Sequence, residues 1–177
     1  MLAPFPVVLA SYDPDWPLIA ADHAQRLQAL GPTLVTVHHI GSTSIPGLAA
    51  KPIIDLMPIV TSLADLDSQR ECIETIGYRW HVEFGIEGRR YCTCSDAHGV
   101  RLAQLHFFEA HSPEVERHIA FRDYLRAHPD AALAYENEKR RARALHPGNS
   151  HAYGDEKRAW INAAEAKAVA WFAGRSA

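Results

Sequence analysis

Residues 38–57 restrict the possible folds of this chain more than any other part of its sequence. An apolar, β-branched run, 34–40, leads into this segment and a second apolar run, 52–60, ends it, so both runs predict strands. Between the runs lies a turn that combines a glycine with three consecutive hydroxyl side chains: Gly41, Ser42, Thr43 and Ser44. The amides and hydroxyls of such a turn can bind an anion, and Lys51 could add a positive charge. The segment therefore predicts two strands joined by an anion-binding turn.

Asp55 is the single acidic residue of the second apolar run. A carboxylate inside an apolar strand requires a metal ion, a cation or several hydrogen-bond donors to stabilise it. In a functional interpretation, Asp55 holds a divalent cation that bridges the phosphates of a ligand. In a structural interpretation, the hydroxyl groups cap a helix and Asp55 makes internal hydrogen bonds. The motif alone leaves both interpretations open.

Composition places few further limits on function. The 177 residues, 47% apolar and 22% charged, are typical of one globular domain, which we expect to span residues 1–177. A net charge of −3 gives no signal for a nucleic-acid or membrane partner. Residues 1–9 lack the basic region of a signal peptide, and no apolar run is long enough to span a bilayer. Three cysteines form neither a disulfide framework nor a zinc motif, so a cytoplasmic location is predicted.

Hydrophobic periodicity predicts an α+β fold. A helix is expected to end near Leu30, and a second one to run from a cap at Ser62 to Ile76. Three strands, 78–84, 90–95 and 100–108, with turn residues between them, predict an antiparallel meander. The remainder is predicted to be helical: one helix capped by Ser112, one over residues 129–145, and one capped by Ser150.

Polar residues occupy two predicted elements in an informative way. In the strand 100–108, alternation places Gln104 and His106 on one face with Leu102 and Phe108, which favours a site on that face over a solvated surface. The basic run 139–143 is typical of a solvated helix face, with an electrostatic lid over an anionic ligand as the alternative.

Four sequence motifs together resemble the GrpB-like family of small bacterial proteins, whose domain also forms a C-terminal extension of some dephospho-coenzyme A kinases. The resemblance covers most of the chain, from about Val8 to Phe172. The motifs are residues 39–55, Leu105-His106, residues 121–129, and Tyr153 with Lys157.

This resemblance implies the fold of the nucleotidyltransferase superfamily, a mixed sheet flanked by helices, with a helical C-terminal part. That superfamily uses a Gly-Ser turn and three carboxylates to bind two metal ions and a nucleoside triphosphate. Gly41-Ser42 match the turn and Asp55 matches the first carboxylate, but Met57 stands at the second position and the strand of Gln104 offers no third acid. Because Mg²⁺ requires hard oxygen ligands, the resemblance implies the fold and an anion-binding loop rather than an intact two-metal site.

Two functions of different classes follow. One is a binding module for a nucleotide or another phosphorylated small molecule, held by the turn together with Lys51, Arg122, Tyr153 and Lys157. The other is a divergent transferase or phosphohydrolase with catalytic Asp55 and one divalent metal, Mg²⁺, Mn²⁺ or Zn²⁺, on Asp55, His106 and His39. A protein-interaction scaffold is the third alternative. Glu83 is the further acid considered for the site.

Overall fold

A five-stranded mixed sheet forms the centre of the molecule in a computed structural model that describes residues 3–175. The outermost two residues at each end of the predicted domain, 1–177, lie outside the described part, as does the beginning of the segment 1–9. In spatial order β1-β2-β5-β4-β3, only β2 and β5 are parallel neighbours. The strands are β1 (Leu34–Ile40), β2 (Ile54–Val60), β3 (Arg79–Trp80), β4 (Arg90–Ser95) and β5 (Arg101–Glu109).

Helices cover both faces of this sheet. Those on the first face are α1 (Trp16–Arg26), which continues into the 3₁₀ segment Leu27–Thr33, α2 (Leu63–Ser68) and α3 (Arg70–Thr75). Those on the second face are α4 (Pro113–Ala127), α5 (Pro129–Leu145) and α6 (Ser150–Ala173). The predicted α+β class, with a mixed sheet flanked by helices and a helical C-terminal part, is confirmed. No helix of the described residues has both the length and the apolar character of a membrane span.

The larger core lies between the sheet and the helices of the first face. It contains the side chains of β5 that alternate with Gln104 and His106, namely Ala103, Leu105 and Phe107, all fully buried. Leu102 is 41% exposed, so the expectation that it belongs inside is wrong. Gln104 and His106 instead lie half-buried on the second face, under α4–α6.

Several element boundaries differ from the predictions. The helix predicted for 62–76 is interrupted at Gln69 (φ −101°, ψ 15°), although Ser62 caps it as predicted. The strand predicted for 78–84 stops after Trp80, because Val82 and Phe84 adopt positive φ angles of 54° and 48° that no strand allows.

The predicted cap of α6 is also wrong. Asn149, and not Ser150, caps this helix, since its side-chain oxygen accepts from the backbone N–H groups of His151 and Ala152. The Ser150 hydroxyl accepts a hydrogen bond from the Phe5 N–H instead, which ties the N-terminal segment to the start of α6.

Candidate functional site

The predicted anion-binding turn lies directly over Asp55. Strand β1 ends at Ile40, which pairs with Asp55 in the antiparallel ladder of β1 and β2. Gly41 follows with φ 68° and ψ −173°, a backbone conformation that residues other than glycine rarely adopt. A single 3₁₀ turn, Ser42–Ser44, comes next. A β-carbon on Gly41 would lie 2.5 Å from Asp55 Oδ2. Glycine is therefore required here both by the backbone and by the carboxylate that packs against it.

His106, which the buried Arg89 contacts, lies beside the Asp55 carboxylate, whose side chain is 29% exposed. Arg89 Nη1 lies 3.2 Å from His106 Nδ1, and since a guanidinium can only donate, Nδ1 must accept. A neutral His106 then carries its proton on Nε2, which lies 3.6 Å from Asp55 Oδ1. The ring therefore presents an N–H group to the carboxylate.

Three lysines from separate elements converge on the space above Asp55: Lys51, Lys139 of α5 and Lys157 of α6. Burial lowers the pKa of Lys139 to about 7 with repulsion from Lys157 as the next cause, and burial lowers that of Lys157 to about 8, opposed by Asp55. Burial also lowers the pKa of Lys51. Across residues 3–175, none of the three forms an ion pair with an acidic side chain. Asp55 is thus the one carboxylate that lines this space against three ammonium groups.

Two tyrosine rings contact the ammonium groups of these lysines. The Lys157 ammonium lies 4.2 Å from the centroid of the Tyr153 ring and 5.7 Å from that of Tyr135. Lys139 Nζ lies 4.8 Å from the Tyr135 ring and donates a hydrogen bond to the Ala49 carbonyl. Burial raises the pKa of Tyr135 to about 12, so its hydroxyl stays protonated as a neutral donor. Cation–π contacts of this kind offset part of the cost of desolvating the amines.

These groups enclose a cavity of about 240 Å³, hereafter the lysine cavity. The turn residues Gly41, Ser42 and Thr43 and the carboxylate lie at its floor, and the lysines and tyrosines form its walls. With every amine protonated, the lining carries three positive charges and one negative charge. The cavity is therefore electrostatically complementary to an anion.

Comparison with known proteins agrees with this arrangement of elements. The family model described as "GrpB protein" matches residues 6–167. The chain belongs to the GrpB family. The UPF0157 protein YqkA of Bacillus subtilis (strain 168) is 39% identical over 171 residues, 96% of this chain and 49% of YqkA. A dephospho-CoA kinase of Mycolicibacterium paratuberculosis (strain ATCC BAA-968 / K-10) is 31% identical over 96% of this chain and 48% of the kinase. The chain thus spans about half the length of these two relatives.

Solved structures confirm the fold of this family member. The GrpB protein from Enterococcus faecalis superposes with a TM-score of 0.87 at 36% identity, covering 93% of this chain and 99% of that one. The Cid1 poly(U) polymerase superposes with a TM-score of 0.55 at 12% identity, covering 84% of this chain and 49% of the polymerase. The second likeness shows a nucleotidyltransferase-like fold and nothing about activity.

The structure brings most of the predicted ligand-binding residues together, since Gly41, Ser42, Thr43, Lys51, Asp55, Tyr153 and Lys157 all line the lysine cavity. It does not bring Ser44 or Arg122 there. The Ser44 hydroxyl donates to the Gly41 carbonyl, and Arg122 pairs with Asp123 and donates to the His39 carbonyl. Both residues therefore bind backbone carbonyls of the turn and of β1 instead of lining the cavity.

The predicted metal ligands are placed less favourably. Asp55 and His106 are neighbours, but the His106 lone pair faces Arg89 rather than the carboxylate. His39 Nε2 lies 2.9 Å from the Thr43 hydroxyl, and burial lowers the pKa of this histidine to about 4. Within residues 3–175, no group of three or more His, Cys, Asp or Glu side chains could hold a metal ion. Of the three predicted metal ligands, only Asp55 lines the lysine cavity.

The two-metal arrangement of the superfamily does not fit these residues. Met57, at the position of the second carboxylate, is fully buried among Ile40, Ile59 and Phe108. Gln104 pairs with Asp55 across β2 and β5, and its side-chain oxygen accepts a 2.5 Å hydrogen bond from the Tyr91 hydroxyl. Glu83 lies in the β3–β4 turn, where it accepts from the Gly88 N–H. No acid is therefore placed to complete a second metal site in the described part of the chain.

Sequence reasoning missed Tyr135, and it placed Lys139 near an anionic ligand only in the alternative interpretation of the basic run. The basic run 139–143 was expected to lie on a solvated face, and this is wrong for Lys139, which is 1% exposed. A signal existed in the sequence, because Tyr135, Lys139 and Ala142 follow the spacing of a buried helical stripe, and all three are buried. A lysine at a position of such a stripe therefore predicts that its amine is buried.

Proposed function

We propose that this protein binds the phosphate group of a nucleotide or another phosphorylated small molecule in the lysine cavity, without two-metal chemistry. One observation carries the proposal: Lys51, Lys139 and Lys157 converge around a single carboxylate, Asp55, without an acidic partner of their own. Burying three ammonium groups in this way is costly unless an anion compensates them. A phosphate dianion would neutralise the excess charge and accept from several of the donors at once.

The cavity suits the phosphate end of a ligand. Ser42, Tyr135 and Tyr153 add hydroxyl donors to the three amines, which gives acceptor oxygens partners on several sides. The volume of about 240 Å³ lies below the ~300–1,000 Å³ of sites that enclose whole small molecules. We therefore expect the lysine cavity to hold a phosphoryl or diphosphoryl group, with the rest of the ligand outside it.

Calorimetric titration and thermal unfolding with inorganic phosphate, pyrophosphate, AMP and coenzyme A test this proposal. The dephospho-CoA kinases among the relatives are the reason to include coenzyme A. A ligand at a hundred times its Kd should stabilise the wild type by ~2.7 kcal/mol. Lys157→Met should weaken phosphate binding at least tenfold.

The matched control is Lys167→Met, which removes an exposed lysine from the same helix. It should leave both the affinity and the stabilisation unchanged. The proposal fails if no phosphorylated compound binds, or if the two substitutions have the same effect.

Chemistry at Asp55 is the second candidate, because the carboxylate is partly accessible and faces the same cavity as the lysines. In this case Asp55 would act as a base on a water molecule or hydroxyl group beside the bound phosphate, with His106 orienting it. Release of phosphate or pyrophosphate that Asp55→Asn abolishes would favour this candidate. Ligand binding without turnover, with or without Mg²⁺, Mn²⁺ or Zn²⁺, would favour the binding module.

We also propose a cytoplasmic location. All three cysteines are free thiols, and Cys92 and Cys94, two residues apart on β4, are buried without forming a disulfide. Reduced cysteines are typical of a reducing compartment.

A further inference from the structure

A second, smaller cavity adjoins the lysine cavity. It has a volume of about 190 Å³ and shares Lys51 and Gln104 with the first. Lys51 Nζ lies 5.4 Å from the ring centroid of Tyr153 on one side and 5.3 Å from that of Phe5 on the other. A single ammonium group thus borders both spaces. A ligand bound through its phosphate in the lysine cavity can extend past Lys51 into the second cavity.

Aromatic rings form the walls of this adjoining cavity. Phe84 and Tyr91 stack with their centroids 5.0 Å apart and their planes within 17° of each other. Phe84 is 40% exposed, so part of its ring remains accessible. Phe5 lines the same cavity from the N-terminal segment, which the Ser150 hydroxyl holds in place. Flat apolar surfaces of this kind are suited to stacking against another ring.

Hydrogen-bond donors complete the lining. Arg101 donates to the Tyr91 oxygen at 3.5 Å, and the Tyr91 hydroxyl donates to the side-chain oxygen of Gln104. This chain of bonds leaves the Gln104 amide NH₂ as a donor beside both cavities. The guanidinium of Arg101 also borders the adjoining cavity, 5.9 Å from the Phe5 ring. A ring that binds here should therefore carry acceptor atoms.

We infer that the phosphorylated ligand carries a flat, acceptor-bearing aromatic group, and that this group binds in the adjoining cavity between Phe5, Phe84 and Arg101. This inference rests on the proposed function, because it assumes that the phosphate occupies the lysine cavity. Size supports it: each cavity alone is smaller than the ~300–1,000 Å³ of typical small-molecule sites, and the two together fall within that range. Stacking on aromatic side chains accommodates many different rings.

Calorimetric titration with three probes of increasing size tests the inference: inorganic phosphate, ribose 5-phosphate and AMP. AMP should bind the wild type at least tenfold more tightly than ribose 5-phosphate does. Phe84→Ala should remove this difference while leaving the Kd for inorganic phosphate and ribose 5-phosphate unchanged. Phe84→Tyr, which keeps the ring, should retain it. Leu133→Ala, which truncates an exposed apolar side chain of α5, should have no effect on any probe.

The outcomes separate the two proposals. If inorganic phosphate and ribose 5-phosphate bind but AMP binds no more tightly, the aromatic subsite is wrong and the proposed function stands. The subsite is equally wrong if Phe84→Ala weakens all three probes to the same extent, since Phe84 would then support the fold. If none of the three binds, both the subsite and the proposed function are overturned.

Discussion

Gly41 and Asp55 are packed so closely that a single added carbon on the glycine would lie 2.5 Å from the carboxylate oxygen Oδ2. The glycine directly follows β1 and the aspartate belongs to β2, and the ladder between these strands pairs Asp55 with Ile40, the residue before Gly41. The polar turn and the acid are therefore one structural unit. A bulkier residue at either position should therefore shift the floor of the lysine cavity.

Gly41→Ala should consequently destabilise the protein and weaken phosphate binding. Its backbone, at φ 68° and ψ −173°, lies in a region that only glycine populates readily, and such strain costs about 1–3 kcal/mol before the contact with Asp55 is counted. Urea denaturation gives the loss in the free energy of unfolding, and titration with inorganic phosphate gives the loss in affinity.

Gly47→Ala is the matched control for this substitution. Gly47 also has a positive φ, 79°, but a β-carbon there would meet no atom within 4 Å. It should therefore cost less stability than Gly41→Ala and leave phosphate affinity intact. Equal losses of stability and of phosphate affinity in the two variants would mean that the close contact between Gly41 and Asp55 contributes to neither property.

The lysines should make both stability and binding depend on pH. Burial lowers the folded-state pKa of Lys139 to about 7 and that of Lys157 to about 8, against 10.5 for each when exposed. At a pH between its folded-state pKa and 10.5, each lysine binds more protons in the unfolded chain than in the folded one. The free energy of unfolding should therefore rise as the pH increases from about 7 towards 10.5, by at most about 1.4 kcal/mol per pH unit for each lysine. Affinity for a phosphate ester should fall over the same range, because the amines lose their charge.

Lys139→Met tests this assignment through the slope rather than the absolute stability, since it also removes the donor to the Ala49 carbonyl. The rise in stability above pH 7 should become shallower in this variant. Arg143→Met, which removes an exposed cation from the same helix, should retain the wild-type slope. A slope that Lys139→Met leaves unchanged would show that this amine does not titrate in the range.

Local sequence patterns were sufficient to predict the floor of the site. The strand, turn and strand of residues 34–60 are contiguous in the chain, so their proximity follows from short-range geometry. The walls depend on where α5 and α6 cross the sheet; the stripe of Tyr135, Lys139 and Ala142 indicates a buried helix face but not what that face packs against. Lys139 shows the consequence, because its position in a basic run predicted solvent exposure, whereas packing of the helix buried it.

Turns that depend on side-chain competition were also difficult to predict. Asn149 and Ser150 are both good helix caps, and the structure uses Asn149 because Ser150 bonds to the N-terminal segment, a contact between residues 145 positions apart. Val82 and Phe84 lie in a stretch with strand-like composition, yet they adopt positive φ angles beside the buried Arg89. A long-range hydrogen bond accompanies the first case, whereas in the second Arg89 donates to the nearby backbone carbonyls of Glu83 and Phe84.

Asp55→Asn should increase affinity for inorganic phosphate in metal-free buffer. The substitution keeps the shape that packs against Gly41 and removes the one negative charge of the cavity lining. Relief of this repulsion should be on the order of 1 kcal/mol, or about fivefold in Kd. Asp65→Asn, at an exposed acid of α2, should not alter the Kd. Weaker binding by Asp55→Asn would instead mean that the carboxylate contacts the ligand directly.

Arg89→Met should lower the stability of the protein more than an ordinary surface substitution does. Arg89 is 5% exposed and donates to the backbone carbonyls of Glu83 and Phe84 as well as to His106 Nδ1. Methionine fills much of the space but leaves these buried acceptors unpaired, which should cost about 2–4 kcal/mol, a Tm decrease on the order of 10 °C. Arg70→Met, at an exposed i,i+4 ion pair, should cost less than about 0.5 kcal/mol. If thermal unfolding shows equal losses, the β3–β4 turn does not depend on the arginine, and neither does the orientation of His106 towards Asp55.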